Sequence, residues 1–193
     1  MELNHSKIEL KKADKSFQQM KDSKTMDEYE SNWRDFLNSL EKVWVKSKRE
    51  CQGFKNKFQP WQGKFTKSRR IDPVAKYLKN ARDADVHSIQ EIVEKTAGST
   101  TIRLADPTVT SWKVDKMVLV DGELVEYIGE QPLDQETHPA KVQAIPFTNQ
   151  GVVFTVPTFH KGKQLNNPEN PIELAELGLN FYSQYLDDIE KEF

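Results

Sequence analysis

The spacing of apolar residues changes once along this chain of 193 residues, and the change falls near Gly98. Before Gly98, apolar side chains recur every three or four residues, which is the period of a helix that buries one face. After Gly98, short segments alternate with a period of two, which is typical of strands. The sequence therefore predicts an α+β fold with a boundary between residues 1–97 and residues 98–193.

Residues 1–97 predict an antiparallel four-helix bundle. The first helix covers residues 7–22, and the second begins at Thr25, whose spacing from Glu28 fits a capping box. In the third helix, Pro60 is expected to kink or divide the helix. The apolar stripe of the second and third helices consists of Tyr29, Trp33, Phe36, Leu37, Leu40, Val43, Trp44, Phe54, Phe58, Trp61 and Phe65. We expect these aromatic side chains to form core rather than to stack on bases.

The fourth helix is predicted to begin at Asp72-Pro73, an acidic N-cap followed by proline in the first turn. It is expected to run to about Ala97, where Gly98 supplies a stop. Its apolar face consists of Val74, Leu78, Ala81, Ile89 and Ile92.

Residues 98–193 predict a small antiparallel β-sheet closed by a C-terminal helix. The strand candidates are TTIRL, WKVDKMVLV, ELVEYIG, KVQAIPF and VVFTV, and hairpin turns are expected at Asp121-Gly122 and Asn149-Gln150-Gly151. Residues 157–170 have the composition of a loop. Asn170 is expected to cap the last helix, whose apolar face (Leu174, Leu177, Phe181, Tyr185 and Ile189) is predicted to pack on the sheet.

The charges of the two halves have opposite signs. Residues 1–97 carry 21 Lys and Arg against 15 Asp and Glu, a net of +6, whereas residues 98–193 carry 7 against 15, a net of −8. Within residues 42–70 there are ten basic residues and one acid, Glu50. This segment is a candidate surface for RNA or another polyanion, and the alternative is a solvated helix face. The candidate RNA-binding residues are Lys46, Lys48, Arg49, Lys55, Lys57, Lys64, Lys67, Arg69 and Arg70.

Several classes of protein lack support in the sequence. No apolar run approaches the length of about 18 residues that a membrane span needs, and the polar N-terminus does not fit a secretory signal. The single cysteine, Cys51, fits a reducing cytoplasm and excludes both an internal disulfide and a cysteine-based zinc cluster. No P-loop, dinucleotide loop, catalytic triad spacing or metal-ligand cluster is present. We therefore expect a cytoplasmic protein without a metal or cofactor and without membrane contact.

The stretch RDADVH on the predicted fourth helix carries the strongest candidate for chemistry. It places Arg82, Asp83 and His87 in an R-x4-H arrangement with a polar residue directly after the arginine. In this motif and in its helical context, residues 7–97 resemble the HEPN superfamily, whose four-helix domains carry an R-x4-6-H motif with Asn, Asp or His commonly after the arginine. The resemblance covers none of the second half.

The resemblance implies metal-independent cleavage of RNA, with two motifs meeting across a homodimer interface. On this interpretation Arg82 binds the phosphate and stabilises its extra charge, His87 is the general acid or base, and Asp83 orients one of them. The ribose 2′-hydroxyl is then the nucleophile. A toxin or an anti-phage defence component is the kind of protein that this activity suggests.

The helical wheel leaves structural alternatives open for both residues. In a straight helix, Arg82 and His87 point about 140° apart and do not converge. Either a second chain completes the site, or the helix is distorted, or the two residues have different roles. Asp85 falls within the apolar stripe, and Arg82, three residues earlier, is in range to pair with it. Arg82 is then a structural ion-pair partner, and His87 is then an exposed histidine without a role. The remaining histidines, His5, His138 and His160, are expected in a terminus, a turn and a loop, where His160 with two neighbouring lysines could contact an anion.

Two other functions compete with cleavage. The first is a non-catalytic module that binds nucleic acid or a protein partner through its basic helical half, with the acidic half as a second surface. The second is assembly, in which the acidic half of one molecule meets the basic half of another.

Overall fold

The computed structural model describes residues 2–88, 90–120 and 122–193 of the chain. Within these residues the chain forms α1 (Asn4–Asp22), α2 (Met26–Glu50), α3 (Lys55–Ile71), α4 (Pro73–His87) and α5 (Pro171–Glu192), with a short 3₁₀ helix at Cys51–Phe54. The strands are β1 (Val93–Thr96), β2 (Ser99–Leu104), β3 (Val114–Val120), β4 (Glu123–Gly129), β5 (Leu133–His138), β6 (Lys141–Ala144), β7 (Phe147–Asn149), β8 (Val152–Phe154), β9 (Phe159–His160) and β10 (Lys163–Gln164). The predicted α+β class is confirmed at this level.

The chain divides into two compact units. Met1–Glu94 and Val142–Phe193 form the first, here called the helical unit, and Lys95–Lys141 form the second, the hairpin unit. The division therefore falls after Glu94 and again after Lys141, whereas the sequence predicts a single boundary near Gly98. All five helices belong to the helical unit.

Local capping signals fix three helix starts where the sequence predicts them. The Thr25 hydroxyl accepts a hydrogen bond from the Glu28 amide at 3.1 Å, and the Glu28 carboxylate accepts one from the Thr25 amide at 3.3 Å. Asp72 accepts a bond from the Ala75 amide at 2.9 Å, and Asn170 accepts one from the Ile172 amide at 2.9 Å. These side chains satisfy amides that a helix start leaves without partners.

The C-terminal helix α5 packs against α1, α2 and α4, so the prediction that it covers the sheet is wrong. The buried stripe of α5 is wide, and it consists of Pro171, Leu174, Ala175, Gly178, Phe181, Tyr182, Tyr185, Leu186 and Ile189. At Gly178, an added Cβ atom would lie 2.7 Å from Leu78 of α4 and 3.0 Å from Leu40 of α2. Glycine therefore allows α5 to approach two helices at once, which a helix on a sheet does not need.

Aromatic side chains of α3 fill the space beside α5, as predicted for core residues. Phe58 and Phe65 are buried, and Trp61 packs with Phe65 and Tyr185 at centroid distances of 5.2 and 6.3 Å. The Tyr185 hydroxyl forms hydrogen bonds with Ser47 of α2 and Gln62 of α3, at 2.8 and 2.6 Å. This buried network joins three helices.

The helix breaks differ from the predicted ones at two places. Pro60 lies inside α3 without dividing it, and the break between α2 and α3 falls at Cys51–Phe54 instead. The fourth helix ends at His87 and not at Ala97, since Ser88 is extended and its hydroxyl bonds to the Ala84 carbonyl at 2.7 Å. Ile92 is buried beyond the helix, and Ile89 lies outside the described residues.

The strands of the described residues form five two-stranded pairs rather than the single predicted sheet. These pairs are β1 with β6, β2 with β5, β3 with β4, β7 with β8, and β9 with β10. Gln150 and Gly151 have φ values of 50° and 76°, which confirms the turn predicted between β7 and β8. The same geometry at Lys161 and Gly162 closes a β9–β10 hairpin within the segment predicted to be loop. Asp121 of the other predicted turn lies outside the described residues.

The hairpin unit has no buried residue among those that the structure describes. Its pairs β2–β5 and β3–β4 are antiparallel, and in β2 half-buried residues alternate with exposed ones. None of the described helices in either unit combines the length and hydropathy that crossing a membrane requires.

Candidate functional site

The three motif residues lie in the last two turns of α4. Asp72 caps this helix and Pro73 is its first residue. Its buried face packs against α2, α3 and α5, and it consists of Val74, Ala75, Tyr77, Leu78, Ala81 and Ala84. Arg82 and Asp83 follow Ala81 and are half-buried, whereas His87, the final residue of α4, is exposed. The end of the helix therefore presents one histidine directly to solvent.

Arg82 is fixed by one neutral and one acidic partner. Its Nε donates to Oδ1 of Asn38 on α2 at 3.2 Å, and its Nη1 donates to Oδ1 of Asp83 at 3.1 Å. The side chain keeps 26% of its surface exposed. The hypothesis that Arg82 pairs with Asp85 is wrong, because another arginine occupies that carboxylate.

Arg34 of α2 is the partner of Asp85. Its guanidinium contacts three carboxylates, namely Asp85, Glu30 at 2.5 Å, and Glu91 at 2.9 Å. Asp85 is 10% exposed and Arg34 is 30% exposed, so the pair is largely shielded from water. Arg34 therefore ties α2 to the last turn of α4 and to the segment that follows His87.

Asp83 accepts hydrogen bonds from two cations. Lys79 lies 2.9 Å from its Oδ2, and Arg82 lies 3.1 Å from its Oδ1. Burial alone raises the pKa of Asp83, but the hydrogen bonds and charges of Lys79 and Arg82 outweigh burial and hold that pKa below its usual value. The carboxylate is therefore ionised at neutral pH. The negative charge of Asp83 is thus divided between the positive charges of Lys79 and Arg82.

The side chain of His87 makes no hydrogen bond or ion pair within residues 2–88, 90–120 and 122–193. It follows Arg82 by five residues of continuous helix, which separates their side chains by about 140° around the axis and about 7.5 Å along it. A single chain therefore does not bring the two side chains of the motif together.

The basic segment keeps seven of its nine candidate residues on the surface. The exposed ones are Lys48, Arg49, Lys55, Lys57, Lys64, Lys67 and Arg70. Lys48 lies over the ring of Trp44 and Lys64 over the rings of Trp61 and Phe65, at 5.5, 4.8 and 5.0 Å from the centroids. Such contacts hold an amine near an aromatic face while leaving its charge unneutralised.

Two other residues of the basic segment are engaged within the fold. Lys46 lies 2.6 Å from Glu9, a buried carboxylate that Lys12 also contacts at 2.9 Å. Arg69 is 5% exposed, pairs with Glu41, and stacks over Trp44 at 4.3 Å. The structure thus places Arg69 in the core between α2 and α3 rather than on a surface that RNA could reach.

The remaining histidines lie apart from the motif. His160 is not a solvated loop residue, because its Nδ1 lies 3.0 Å from the Asp72 carboxylate and its side chain is mostly buried. His138 ends β5 with an exposed side chain 3.5 Å from Glu136, and His5 lies in α1. Within the described ranges, no three His, Cys, Asp or Glu side chains are grouped so as to hold a metal ion.

Sequence patterns miss two residues of this site, Arg34 and Asn38. They lie one turn apart on α2 and face α4, where Arg34 meets Asp85 and Asn38 meets Arg82. Arg34 follows Glu30 by four residues, which is a detectable helical pair, but that signal gives no hint of α4. Asn38 carries no local signal of its role.

No family model matches this chain, and comparisons with curated proteins and with solved structures give no match.

Proposed function

We propose that this protein cleaves RNA without a metal ion, with Arg82 and His87 supplied to one site by two copies of the chain. The observation that carries the proposal is the state of Arg82. Its guanidinium is held by a neutral amide and by a carboxylate that it shares with Lys79. The positive charge of Arg82 is therefore only partly neutralised and can bind a phosphate. On the same helix, His87 is exposed and has no partner among the described residues.

The chemistry needs one cation and one proton carrier. Arg82 binds the scissile phosphate and stabilises the additional negative charge that develops on its oxygens. The ribose 2′-oxygen forms a bond to phosphorus as its proton leaves, and the bond to the 5′-oxygen breaks as that oxygen gains a proton. His87 serves as the general acid or base, because imidazole exchanges a proton near neutral pH. The products are a 2′,3′-cyclic phosphate and a free 5′-hydroxyl.

Asp83 has an orienting part in this scheme. Asp83 accepts a hydrogen bond from Nη1 of Arg82, and Asn38 accepts one from Nε. The two bonds together restrict the plane of the guanidinium. Because Lys79 also contacts Asp83, the three side chains retain a net positive charge. The seven exposed cations of α2 and α3 add attraction for the RNA backbone.

The first test measures cleavage of a labelled single-stranded RNA in the presence of EDTA. We expect the wild-type protein to cut the RNA and His87→Ala to lower the rate by about 100-fold or more, because the proton carrier is lost. His138→Ala is the matched control, since it removes an equally exposed histidine from the hairpin unit. DNA of the same sequence should remain intact because it lacks the 2′-hydroxyl. Undiminished cutting by His87→Ala contradicts the assignment of His87, and cutting that needs Mg²⁺ contradicts the metal-independent chemistry.

A mixing experiment tests whether two copies build one site. Arg82→Ala and His87→Ala proteins are each expected to be inactive, but a heterodimer of the two contains one site with both residues intact. When the two variants are mixed in equal amounts, about half of the dimers are heterodimers. Each heterodimer has one intact site out of the two that a twofold axis relates, so the mixture should regain about a quarter of the wild-type rate. Mixtures that stay inactive, although mass spectrometry shows heterodimers, place Arg82 and His87 outside a shared site.

A second function, the binding of nucleic acid without cleavage, is favoured by the exposed cations alone. Lys57, Lys64 and Lys67 lie on α3 without an acidic partner among the described residues. Replacing all three by Gln should weaken binding of RNA at low salt. The slope of the logarithm of affinity against the logarithm of salt concentration should fall by about two, because each lost phosphate contact lowers it by about 0.7. This function stands if the triple variant loses binding while the wild-type protein never cuts RNA.

A further inference from the structure

Two residues of α2 contact α4 at or near Arg82. Asn38 accepts a hydrogen bond from Arg82, and Arg34 pairs with Asp85. We propose that Arg34 and Asn38 of α2 are positioning residues, which keep the charge of Arg82 available to a phosphate. The inference rests on the proposed function, and it names the residues outside the motif on which that function depends. It also makes a separate prediction about binding that does not require cleavage.

Arg34 acts by occupying the carboxylate of Asp85, which is a second acid, besides Asp83, within helical reach of Arg82. Asp85 follows Arg82 by three residues, a spacing at which helical side chains meet. With 10% of its side chain exposed, Asp85 needs a cationic or hydrogen-bonding partner. Arg34 reaches across from α2 and supplies that partner. Asp85 is thereby paired without drawing on the charge of Arg82.

Asn38 acts by holding Arg82 without neutralising it. Its amide oxygen accepts the Nε–H of Arg82 at 3.2 Å, and an amide carries no net charge. A guanidinium has five N–H donors, and the bonds to Asn38 and Asp83 use two of them. The other donors remain for an anion. An Asp at position 38 would be nearly isosteric with Asn38 and would convert the same contact into an ion pair.

Lys79 completes the arrangement on α4 itself. It contacts Asp83 from one turn earlier, so that the single carboxylate beside Arg82 faces two cations. Around Arg82 there are thus a neutral amide, a carboxylate shared with Lys79, and a second carboxylate held by Arg34. The two that contact Arg82, Asn38 and Asp83, both leave positive charge on it, and Asp85 is paired with Arg34 instead.

The decisive variant is Asn38→Asp, because it should weaken nucleic-acid binding without lowering the stability of the protein. The introduced carboxylate pairs with Arg82, so the thermal unfolding midpoint should stay unchanged or rise. Binding of a single-stranded DNA oligonucleotide, which cannot be cut, should weaken by about tenfold because one charged contact is lost. The slope of the logarithm of affinity against the logarithm of salt concentration should fall by about 0.7. Asn32→Asp is the matched control, since it adds the same charge to α2 where the amide bonds to Ser23.

A suppressor pair tests the part played by Arg34. In Arg34→Gln, Asp85 is left to pair with Arg82, and oligonucleotide binding and RNA cleavage should both fall by about tenfold or more. The double variant Arg34→Gln/Asp85→Asn removes the competing carboxylate, so both measurements should return to within about threefold of the wild type. A double variant as impaired as the single one overturns the assignment of Arg34.

The outcomes separate this inference from the proposed function. If the wild type binds the oligonucleotide with an Arg82-dependent salt slope but does not cut RNA, the cleavage proposal fails and the positioning role stands. If RNA is cut and Asn38→Asp leaves both cleavage and the salt slope unchanged, the positioning role fails and cleavage stands. Absence of any Arg82-dependent binding to the oligonucleotide overturns both.

Discussion

Arg69 and Arg82 lie on neighbouring helices of the same unit, and their surroundings differ in every respect that matters for chemistry. Arg69 is buried, pairs with Glu41, and lies over the rings of Trp44 and Tyr182 at 4.3 and 5.8 Å. Arg82 is half-buried and is held by an amide and by a shared carboxylate. The main difference lies in what α2 provides, which is a neutral acceptor, Asn38, for Arg82 and a carboxylate, Glu41, for Arg69.

The buried pair should dominate the stability of the helical unit. Arg69→Met keeps most of the side-chain volume but leaves Glu41, whose side chain is 17% exposed, without its cation. We expect the free energy of unfolding to fall by about 3 kcal/mol, because a largely buried carboxylate loses its partner. Urea denaturation followed by circular dichroism measures this change.

The control for this variant removes both charges. Arg69→Met/Glu41→Leu should recover most of the lost stability, since apolar residues of similar size often replace a buried pair without loss. Oligonucleotide binding should be unchanged in both variants. Loss of binding in the double variant, with stability restored, would place Arg69 among the residues that contact nucleic acid and remove the contrast with Arg82.

Arg82→Met should show the opposite pattern. After the substitution, Lys79 still contacts Asp83, and the half-buried Asn38 can bond to water. The free energy of unfolding should therefore change by less than about 1 kcal/mol. Oligonucleotide binding should weaken by about tenfold because a charged contact is lost. The same urea titration and binding assay apply, with Lys76→Met as the control for a cation on another part of α4. A loss of stability as large as that of Arg69→Met would assign Arg82 to the fold.

The sequence predicts those features that depend on neighbours in the chain. Thr25, Asp72 and Asn170 cap helices as predicted, because a cap needs only amides two or three residues away. The helical period likewise identifies Trp33, Phe36 and Leu40 as core, because one face of α2 is apolar throughout.

The features that fail depend on partners distant in the chain. The sequence offers Arg82, on the same helix, as one alternative partner for Asp85, but Arg34, 51 residues earlier, reaches it because α2 packs beside α4. In the same way, the sequence does not distinguish Arg69 from the surface cations around it, since its burial depends on Trp44 of α2 and Tyr182 of α5. The early end of α4 lies at Ser88, whose backbone is extended and whose amide and hydroxyl both donate to the Ala84 carbonyl, at 2.9 and 2.7 Å. This end is local, but the sequence predicts the later stop at Gly98.

The smallest expected effect concerns the carboxylate that Arg82 shares with Lys79. Because the pKa of Asp83 is lower in the folded protein than in the unfolded chain, its contacts contribute stability at pH values above about 4, the usual pKa of an aspartate. That contribution disappears as the pH falls through the lower pKa of the folded state. The contribution should be less than about 1 kcal/mol, since the pair remains partly open to solvent.

Urea denaturation of wild-type and Asp83→Asn proteins between pH 3 and pH 7 measures this contribution. The wild type should be the more stable of the two at pH 7, and the difference should shrink as the pH falls below about 4, because protonation then removes the same charge that the substitution removes. Asp35→Asn, an exposed position on α2, is the control that corrects for a general loss of negative charge. A difference that does not change with pH would mean that Asp83 contributes by packing. The charge of Arg82 would then be independent of this carboxylate, and its contrast with Arg69 would be larger than the contacts alone indicate.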